Sequence, residues 1–358
     1  MEIIPAISFL LRSPVVVNSP YFHCMPASRQ IGRESETQTA GLGKFRRLVG
    51  GQDETMKIKL IANPAAGSAA RDRIARAVML LEQGGAVVDV TLTGGRGDAV
   101  RAARDARHQE YDRIVAAGGD GTLNEVINGL APSDIPLAFI PLGTTNVFAL
   151  ETQIPFNLEQ ACALALGGTP HRICLGQADG HRFLLMAGIG FDAEVVRGVS
   201  LRLKRRVGKL AYVISGVISL CRYRPQLLEV VTEAGVRRQA YGVIISNGCL
   251  YGGRFVVSPS ASLYKKTLSV CLLLRKTRLG LLGTVAKIAA GRPLLIDEAV
   301  QLQARKVVVA GASVPVQVDG DYVGDLPQVF HSTFGEIQMV LPPWSDAPGI
   351  NDEKEAYP

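Results

Sequence analysis

Apolar and polar positions divide the chain into stretches of different character. Up to about residue 55 no period is sustained. An apolar run over residues 3–11 is interrupted by Pro5 and preceded by Glu2, which does not suit the basic leader of a signal peptide. Ser, Gln, Thr, Gly and Arg dominate from 26 to 55, so residues 1–55 are expected to form a disordered extension. Met56, directly before the first strand pattern, stands as an alternative start, although a cleaved targeting segment would read the same way. From Lys57 the pattern is regular. Residues 57–62 predict a strand ending in Asn63-Pro64-Ala65-Ala66-Gly67-Ser68. The helix that follows sets Ile74, Val78 and Leu81 on one face and Arg71, Arg73 and Arg76 off it, and stops at Gly84-Gly85. Residues 86–92 predict a second strand, then Thr93-Gly94-Gly95-Arg96-Gly97-Asp98 leads into an Ala/Arg-rich helix to about Gln109. Ile114, Val115, Ala116 and Ala117 form a third strand that runs into Gly118-Gly119-Asp120-Gly121-Thr122. Leu123, Val126, Ile127 and Leu130 then recur at helical spacing. Residues 136–142 predict a fourth strand, followed by Gly143-Thr144-Thr145-Asn146 and another helix start.

Four successive strand–loop–helix units predict a parallel sheet covered by helices. Ligands on such sheets bind beyond the carboxyl ends of the strands, where all of these loops fall. After Phe156 the pattern changes. A helix over 158–166 gives way to short β-prone runs at 171–178, 182–188, 227–232, 240–246, 255–258, 268–274 and 306–310. These predict a largely antiparallel β domain, interrupted by helical patches at 207–221 and 279–290. Val314 to Val318 reads as a further strand, closed by a hairpin turn at Asp319-Gly320-Asp321. The expected fold class is α/β: an N-terminal Rossmann-like parallel α/β domain, then a C-terminal largely antiparallel β domain, with the active site in the interdomain cleft. The first domain is expected over 56–150, completed by a segment near 327–342, and the second over 151–326. A frayed tail is expected over 343–358.

Composition narrows the classes. The 358 residues, 47% hydrophobic and 20% charged, are enough for two cores. No stretch reaches the ~18 uninterrupted apolar residues of a spanning helix, so a soluble or peripheral chain is expected. Six cysteines (Cys24, Cys162, Cys174, Cys221, Cys249, Cys271) lack zinc or disulfide-scaffold spacing and read as small buried hydrophobes in a reducing compartment. A formal charge of +7 favours anionic partners. Nucleic acid is not expected among them, because no RNP-like aromatic motif, zinc finger or helix-turn-helix accompanies the charge. Arg202, Lys204, Arg205, Arg206 and Lys209, beside an apolar helical patch, suit an anionic membrane surface; a solvated helix face is the plainer alternative.

The GGDGT loop is the centre of the candidate chemistry. Its glycines let the backbone bend and let a ligand approach the N–H groups. A helix N-terminus beside them adds unpaired donors and a positive dipole end, which suits phosphate. A carboxylate in that position implies an intervening divalent cation or a proton to accept. In isolation the motif also fits an ordinary strand-to-helix turn. The first loop is no Walker A motif, since no GKS or GKT follows, and GxGxxG is missing there. Several short loops, rather than one long one, would make the nucleotide site.

Jointly, NPAAG, the T-x-x-x-GDA set of Thr93, Gly97, Asp98 and Ala99, AGGDGTLNEVING and PLGTTN resemble the diacylglycerol kinase catalytic-domain superfamily. The nearest branch is the soluble bacterial lipid kinases, relatives of sphingosine and ceramide kinases. The resemblance continues in GIGFDAEVV (188–196), the segment 209–212, SNGCLYGG (246–253) and VDGD (318–321), and covers about residues 57–341. GGDGT alone is shared with NAD kinases and phosphofructokinases. The resemblance implies transfer of the γ-phosphoryl group of ATP, with Mg²⁺, to a hydroxyl of diacylglycerol or a related lipid. It also implies a cytoplasmic enzyme, peripheral at the inner face of the membrane; a homodimer stays open. Asn63, Pro64, Ala65, Ala66, Gly67, Thr93, Gly119, Asp120, Gly121, Thr122, Leu123, Asn124, Glu125 and Thr144 would surround the nucleotide, with Asp120 acting through Mg²⁺ and water at the phosphates. The family's general base is a glutamate in a DGE triplet. Asp321, one methylene shorter, takes that position here, with Asp319 shaping the turn. The family's Pro-x-Ala-x-x-x-Asp-Gly-x-Leu, whose aspartate helps hold a structural Mg²⁺, has become Pro259-Ser260-Ala261-Ser262-Leu263-Tyr264-Lys265-Lys266-Thr267-Leu268. Lys265 replaces the oxygen ligand with a cation, so that metal is not expected. Two alternatives stand beside the kinase: an NAD kinase-like enzyme and a catalytically inactive lipid-binding or regulatory homologue.

Overall fold

Strands β1 (Lys57–Ala62), β2 (Val87–Leu92), β3 (Arg113–Gly118) and β4 (Leu137–Pro141) run parallel in the order β2-β1-β3-β4. The computed structural model that shows them describes residues 55–67, 69–198, 223–292 and 294–343. The expected extension, Ser68, the cluster at 202–209, the patch at 207–221 and the tail beyond 343 lie outside the described residues. Helices α1 (Ala70–Gln83), α2 (Asp98–Ala106) and α3 (Asp120–Leu130) connect the four strands, and α4 (Val147–Thr152) and α5 (Leu158–Gly167) follow. Every residue of β3 and β4 is buried, because the helices cover both faces. On one face Leu60, Val115 and Ile140 meet Ile74, Leu81 and Leu158 of α1 and α5. On the other, Ile114, Ala116 and Phe139 meet Ala103, Leu123 and Ile127 of α2 and α3. Helices α2 and α3 approach so closely that a Cβ at Gly129 would overlap the Val100 carbonyl.

The chain then makes β5 (Thr169–Ala178), β6 (His181–Phe183), β7 (Met186–Ile189) and α6 (Phe191–Gly198). Beyond the undescribed residues come β8 (Leu228–Thr232), β9 (Arg237–Ala240), β10 (Gly242–Ser246), β11 (Leu250–Tyr251), β12 (Phe255–Val256), β13 (Leu268–Leu273) and α7 (Arg278–Ala289). The last strands are β14 (Ala299–Ala304), β15 (Lys306–Ala310), β16 (Pro315–Val318), β17 (Asp321–Asp325) and β18 (Gln328–Leu341). An antiparallel sheet in the order β14-β13-β10-β7-β16-β17 faces β8 and β15 across a core of Val230, Val307, Val309, Val243, Ile245, Val270 and Val316.

Two features depart from the pattern reading. The run expected over 182–188 is split into β6 and β7, because the backbone N–H groups of Leu184, Leu185 and Met186 turn to the Asp319 carboxylate. The two halves also share a sheet. β18 lies beside β15 over residues 328–331, pairs in parallel with β4 through Met339 and Leu137, and carries β5 along its other edge. Ten strands are thereby joined, from β2 to β9. β9, β11 and β14 were not expected from the pattern.

Candidate active site

The strand order reverses at β1 and β3, so the loops after these neighbours flank the crevice where such sheets take their ligands. In the first loop the Asn63 side chain accepts from Ala65 N–H (2.9 Å) and donates to Thr122 Oγ1 (3.3 Å). It thus closes its own turn and ties it to α3. Gly67 sits at φ 119°, and a Cβ there would stand 3.0 Å from the Leu142 carbonyl oxygen. In the loops after β3 and β4, a Cβ at Gly143 would come within 2.7 Å of Gly119 Cα and 2.6 Å of Asn146 Oδ1. The three loops therefore converge with their backbones in contact, in a cradle that side chains would fill.

The polar residues of GGDGTLNE each fasten a different neighbour. Asp120 accepts from Val147 N–H (2.9 Å) and Phe148 N–H (3.0 Å), capping α4 from the opposite loop. Burial pushes its carboxyl above the ordinary range, and those two N–H groups pull it back. Glu125 accepts from Gly97 N–H (3.1 Å) and Ala99 N–H (3.3 Å) and so caps α2. Asn124 donates to Asp319 Oδ2 (2.9 Å) and to the Arg182 carbonyl (3.1 Å), across to the second half of the chain. Thr93 and Thr122 are buried, whereas Thr144 is exposed. Asn124, Glu125 and Asp120 thus hold the cradle together with the groups expected to face a nucleotide.

The Asp319-Gly320-Asp321 turn arrives from β16. Asp319, at φ 46°, accepts from Leu184 N–H (2.6 Å), Leu185 N–H (3.0 Å) and Met186 N–H (3.1 Å) as well as Asn124. Desolvation pushes its carboxyl up to about 6; the three N–H groups oppose the rise and the nearby Asp120 charge adds to it. Asp319 is therefore more than a turn former, since it pins three elements together. Asp321 opens β17 with its side chain half exposed, 3.6 Å from Arg96 Nη2 in the loop after β2. The structure thus brings Asp321 to the edge occupied by the Thr93–Gly97 loop.

A buried relay that residue-level reading missed lies behind the turn. Tyr251 Oη and Gln317 Nε2 both donate to Asp192 of α6, and Gln317 Oε1 accepts from Gly320 N–H (2.7 Å). Burial raises the Asp192 carboxyl against the pull of both donors. A Cβ on Gly188 would overlap the Asp192 carboxylate, which explains the glycine of GIGFDAEVV. Glu151 of α4 accepts from Cys249 N–H (2.8 Å) and Leu250 N–H (2.9 Å), tying SNGCLYGG to the first half. These motifs carried the signal; their internal bonds were not legible.

No group of three His, Cys, Asp or Glu side chains that could hold a metal occurs among the described residues. Lys265 Nζ donates to the Ser260 carbonyl (3.1 Å) within its own loop, and Lys266 lies over the Phe334 ring. These residues do not fit a resident structural Mg²⁺. Asp120, whose oxygens each keep a lone pair, fits a single contact to a cation carried by a nucleotide.

Two family models match: the diacylglycerol kinase catalytic domain over residues 57–178, and the YegS C-terminal NAD kinase beta sandwich-like domain over 186–341. The diacylglycerol kinase of Bacillus subtilis (strain 168) is 32% identical over 295 residues, which span 80% of this chain and 96% of the relative. The chain belongs to the diacylglycerol kinase family. Another diacylglycerol kinase, from Staphylococcus carnosus (strain TM300), is 27% identical over 300 residues, 80% of this chain and 95% of the relative. The fold is shared with a crystal structure of a diacylglycerol kinase from Bacillus anthracis str. Sterne. Its TM-score is 0.63 at 22% identity, covering 82% of this chain and 99% of that one. The two family models meet at β6 and the segment that Asp319 binds, so this aspartate stitches the diacylglycerol kinase halves together.

Proposed function

We propose that this member of the diacylglycerol kinase family transfers the γ-phosphoryl group of ATP to the hydroxyl of diacylglycerol or a related lipid. What supports the reading is a glycine cradle at the sheet's switch point, with the Asp319-Gly320-Asp321 turn from the other half of the chain tied through Asn124 to the helix that leaves it. Phosphoryl transfer asks a protein mainly for positioning and for charge stabilisation at the transferred group. Loops 63–67, 118–122 and 143–146 would present backbone N–H groups and helix N-termini to the phosphates. Mg²⁺, bound with ATP, would neutralise charge there. Asp120 fixes the cradle, and its remaining lone pairs would be available to that charge.

Asp321 serves as the base because, unlike Asp319, it is not consumed by backbone donors. A base must come within about 2.6–3.2 Å of the acceptor hydroxyl, or act through one water. Arg96 Nη2 lies 3.6 Å from it, with both side chains open to solvent. No helix among the described residues is long and apolar enough to cross a membrane. The lipid would be met at the inner membrane face, and a phosphorylated glycerolipid would re-enter phospholipid biosynthesis. The test is labelled ATP with purified protein and mixed micelles of diacylglycerol, a sphingoid base or an isoprenoid alcohol, with NAD as a parallel acceptor. Phosphate on a lipid supports the proposal. Phosphate on NAD alone, or none on any acceptor, overturns it.

A further inference from the structure

Helix α7 departs from the usual surface helix. Thr277 caps it by accepting from Gly280 N–H (3.1 Å), and Leu281, Thr284 and Ile288 turn inward. That inner face packs over β12, in the core that includes Leu250 and Val257. An exposed outer face would ordinarily be polar. Here it offers Gly283 and Ala286, with Leu279 at the start of the helix 75% exposed. The turn beyond the helix adds Leu295, 56% exposed, and Ile296, 85% exposed.

That turn is fastened. Glu298 accepts from Leu295 N–H (3.0 Å) and from Lys287 Nζ (2.7 Å), and also pairs with Arg275 (3.4 Å). Its carboxylate thereby ties both ends of the helix to the turn that displays Leu295 and Ile296. Over residues 275–298 five cations, Arg275, Lys276, Arg278, Lys287 and Arg292, outnumber two carboxylates, Asp297 and Glu298, which pair with Arg275 and Lys287. Exposed aliphatic side chains flanked by lysine and arginine fit the boundary between headgroups and acyl chains of an anionic bilayer.

We infer that α7 and the 294–296 turn form a docking element that inserts Leu279, Leu295 and Ile296 into an anionic phospholipid surface. The inference deepens the lipid-kinase reading and rests on it. The same helix packs on β12, whose partner strand β11 carries Tyr251 of the relay behind the Asp319-Gly320-Asp321 turn. Docking here would bring the membrane to the acceptor side of the site.

The experiment compares wild type with Leu279→Ser/Ile296→Ser and, separately, with Lys276→Glu/Arg292→Glu. All four positions are exposed, and circular dichroism checks the fold. Sedimentation with phosphatidylcholine vesicles, with and without phosphatidylglycerol, should show wild type bound to the anionic vesicles and released by salt. The serine variant should bind about tenfold or more weakly, with the loss present at every salt concentration. The glutamate variant should lose the salt-sensitive part. Both should phosphorylate a monomeric short-chain diacylglycerol as fast as wild type. Equal vesicle binding by wild type and both variants overturns the inference, and so does no binding by wild type. A change in oligomeric state on the serine substitution also overturns it, since it assigns the face to a second copy. If no protein phosphorylates any lipid while the serine variant still loses vesicle binding, the docking element stands and the kinase reading fails.

Discussion

Removing the Asp319 side chain would leave three backbone N–H groups, those of Leu184, Leu185 and Met186, without their acceptor. Asp319→Ala should therefore cost about 2–4 kcal/mol in urea unfolding, more than its place in a turn would suggest. Asp319 also carries a pH signature. Its carboxyl rises from 3.8 to about 6 on folding, so the folded protein holds a proton there that the unfolded chain has released. This contribution is complete below pH about 4 and is lost as the pH rises through about 6, amounting to about 3 kcal/mol. Stability measured across that window should fall with rising pH in wild type and lose that component in Asp319→Asn. An identical slope in both proteins would assign the titration to another group. Asp321 should behave differently. Asp321→Ala should abolish lipid phosphorylation while calorimetry still finds ATP binding, and Asp321→Glu should keep measurable kcat because it only adds reach. An Asp321→Ala enzyme with near-normal kcat would show that the base has been placed on the wrong carboxylate.

At the scale of elements, the strand-and-loop skeleton was legible because the four parallel strands are short, mostly apolar runs with a glycine or asparagine within two residues of their ends. β1 and β15 fall where the pattern put them, and the remaining first-half strands are displaced by a residue or so. β14 was missed because Gln301 and Gln303 dilute the apolar signal in AVQLQA. The break between β6 and β7 was missed because its cause, Asp319, lies more than a hundred residues away in sequence. The same reason hid the roles of Asp120 and Glu125 as caps of α4 and α2, since capping by a distant side chain leaves no local pattern. Loop convergence was legible only as a list of glycines; that Gly143 abuts Gly119 required the fold. Gly143→Ala should push these backbones apart and weaken nucleotide binding about tenfold or more, with a smaller effect on the thermal midpoint. Titration with a non-hydrolysable ATP analogue checks this, and unchanged affinity would remove the loop after β4 from the cradle. Gln317→Leu tests the relay. It frees Gly320 N–H and strips Asp192 of a donor, so kcat should fall while the KM for ATP holds. An equal loss in both would mean the substitution merely loosens the fold.

For the whole molecule, β18 is the element that makes two halves into one body, because it pairs with β4 of the parallel set, with β15 and with β5. Cohesion between the halves thus comes from sheet hydrogen bonds, from Asp319 and from Glu151, with no metal cage among the described residues. The loop in which Lys265 stands where the family resemblance leads one to expect an aspartate is closed by Lys265 on the Ser260 carbonyl. Metal removal should therefore separate activity from stability. A chelator should stop turnover, because the proposed reaction takes Mg²⁺ with ATP, yet leave the thermal midpoint of the nucleotide-free protein where it was. A ligand that binds only the folded state raises stability by RT ln(1 + [L]/Kd), so an unmoved midpoint means that no folded-state metal is lost. Lys265→Asp/Lys266→Gly gives the converse test by restoring the oxygen ligand of the family pattern. Its midpoint should rise with added Mg²⁺ and fall with chelator, whereas wild type should respond to neither. A wild-type midpoint that drops on chelation would place a structural cation in this fold after all, and the substitution by lysine would then not explain how the loop is held.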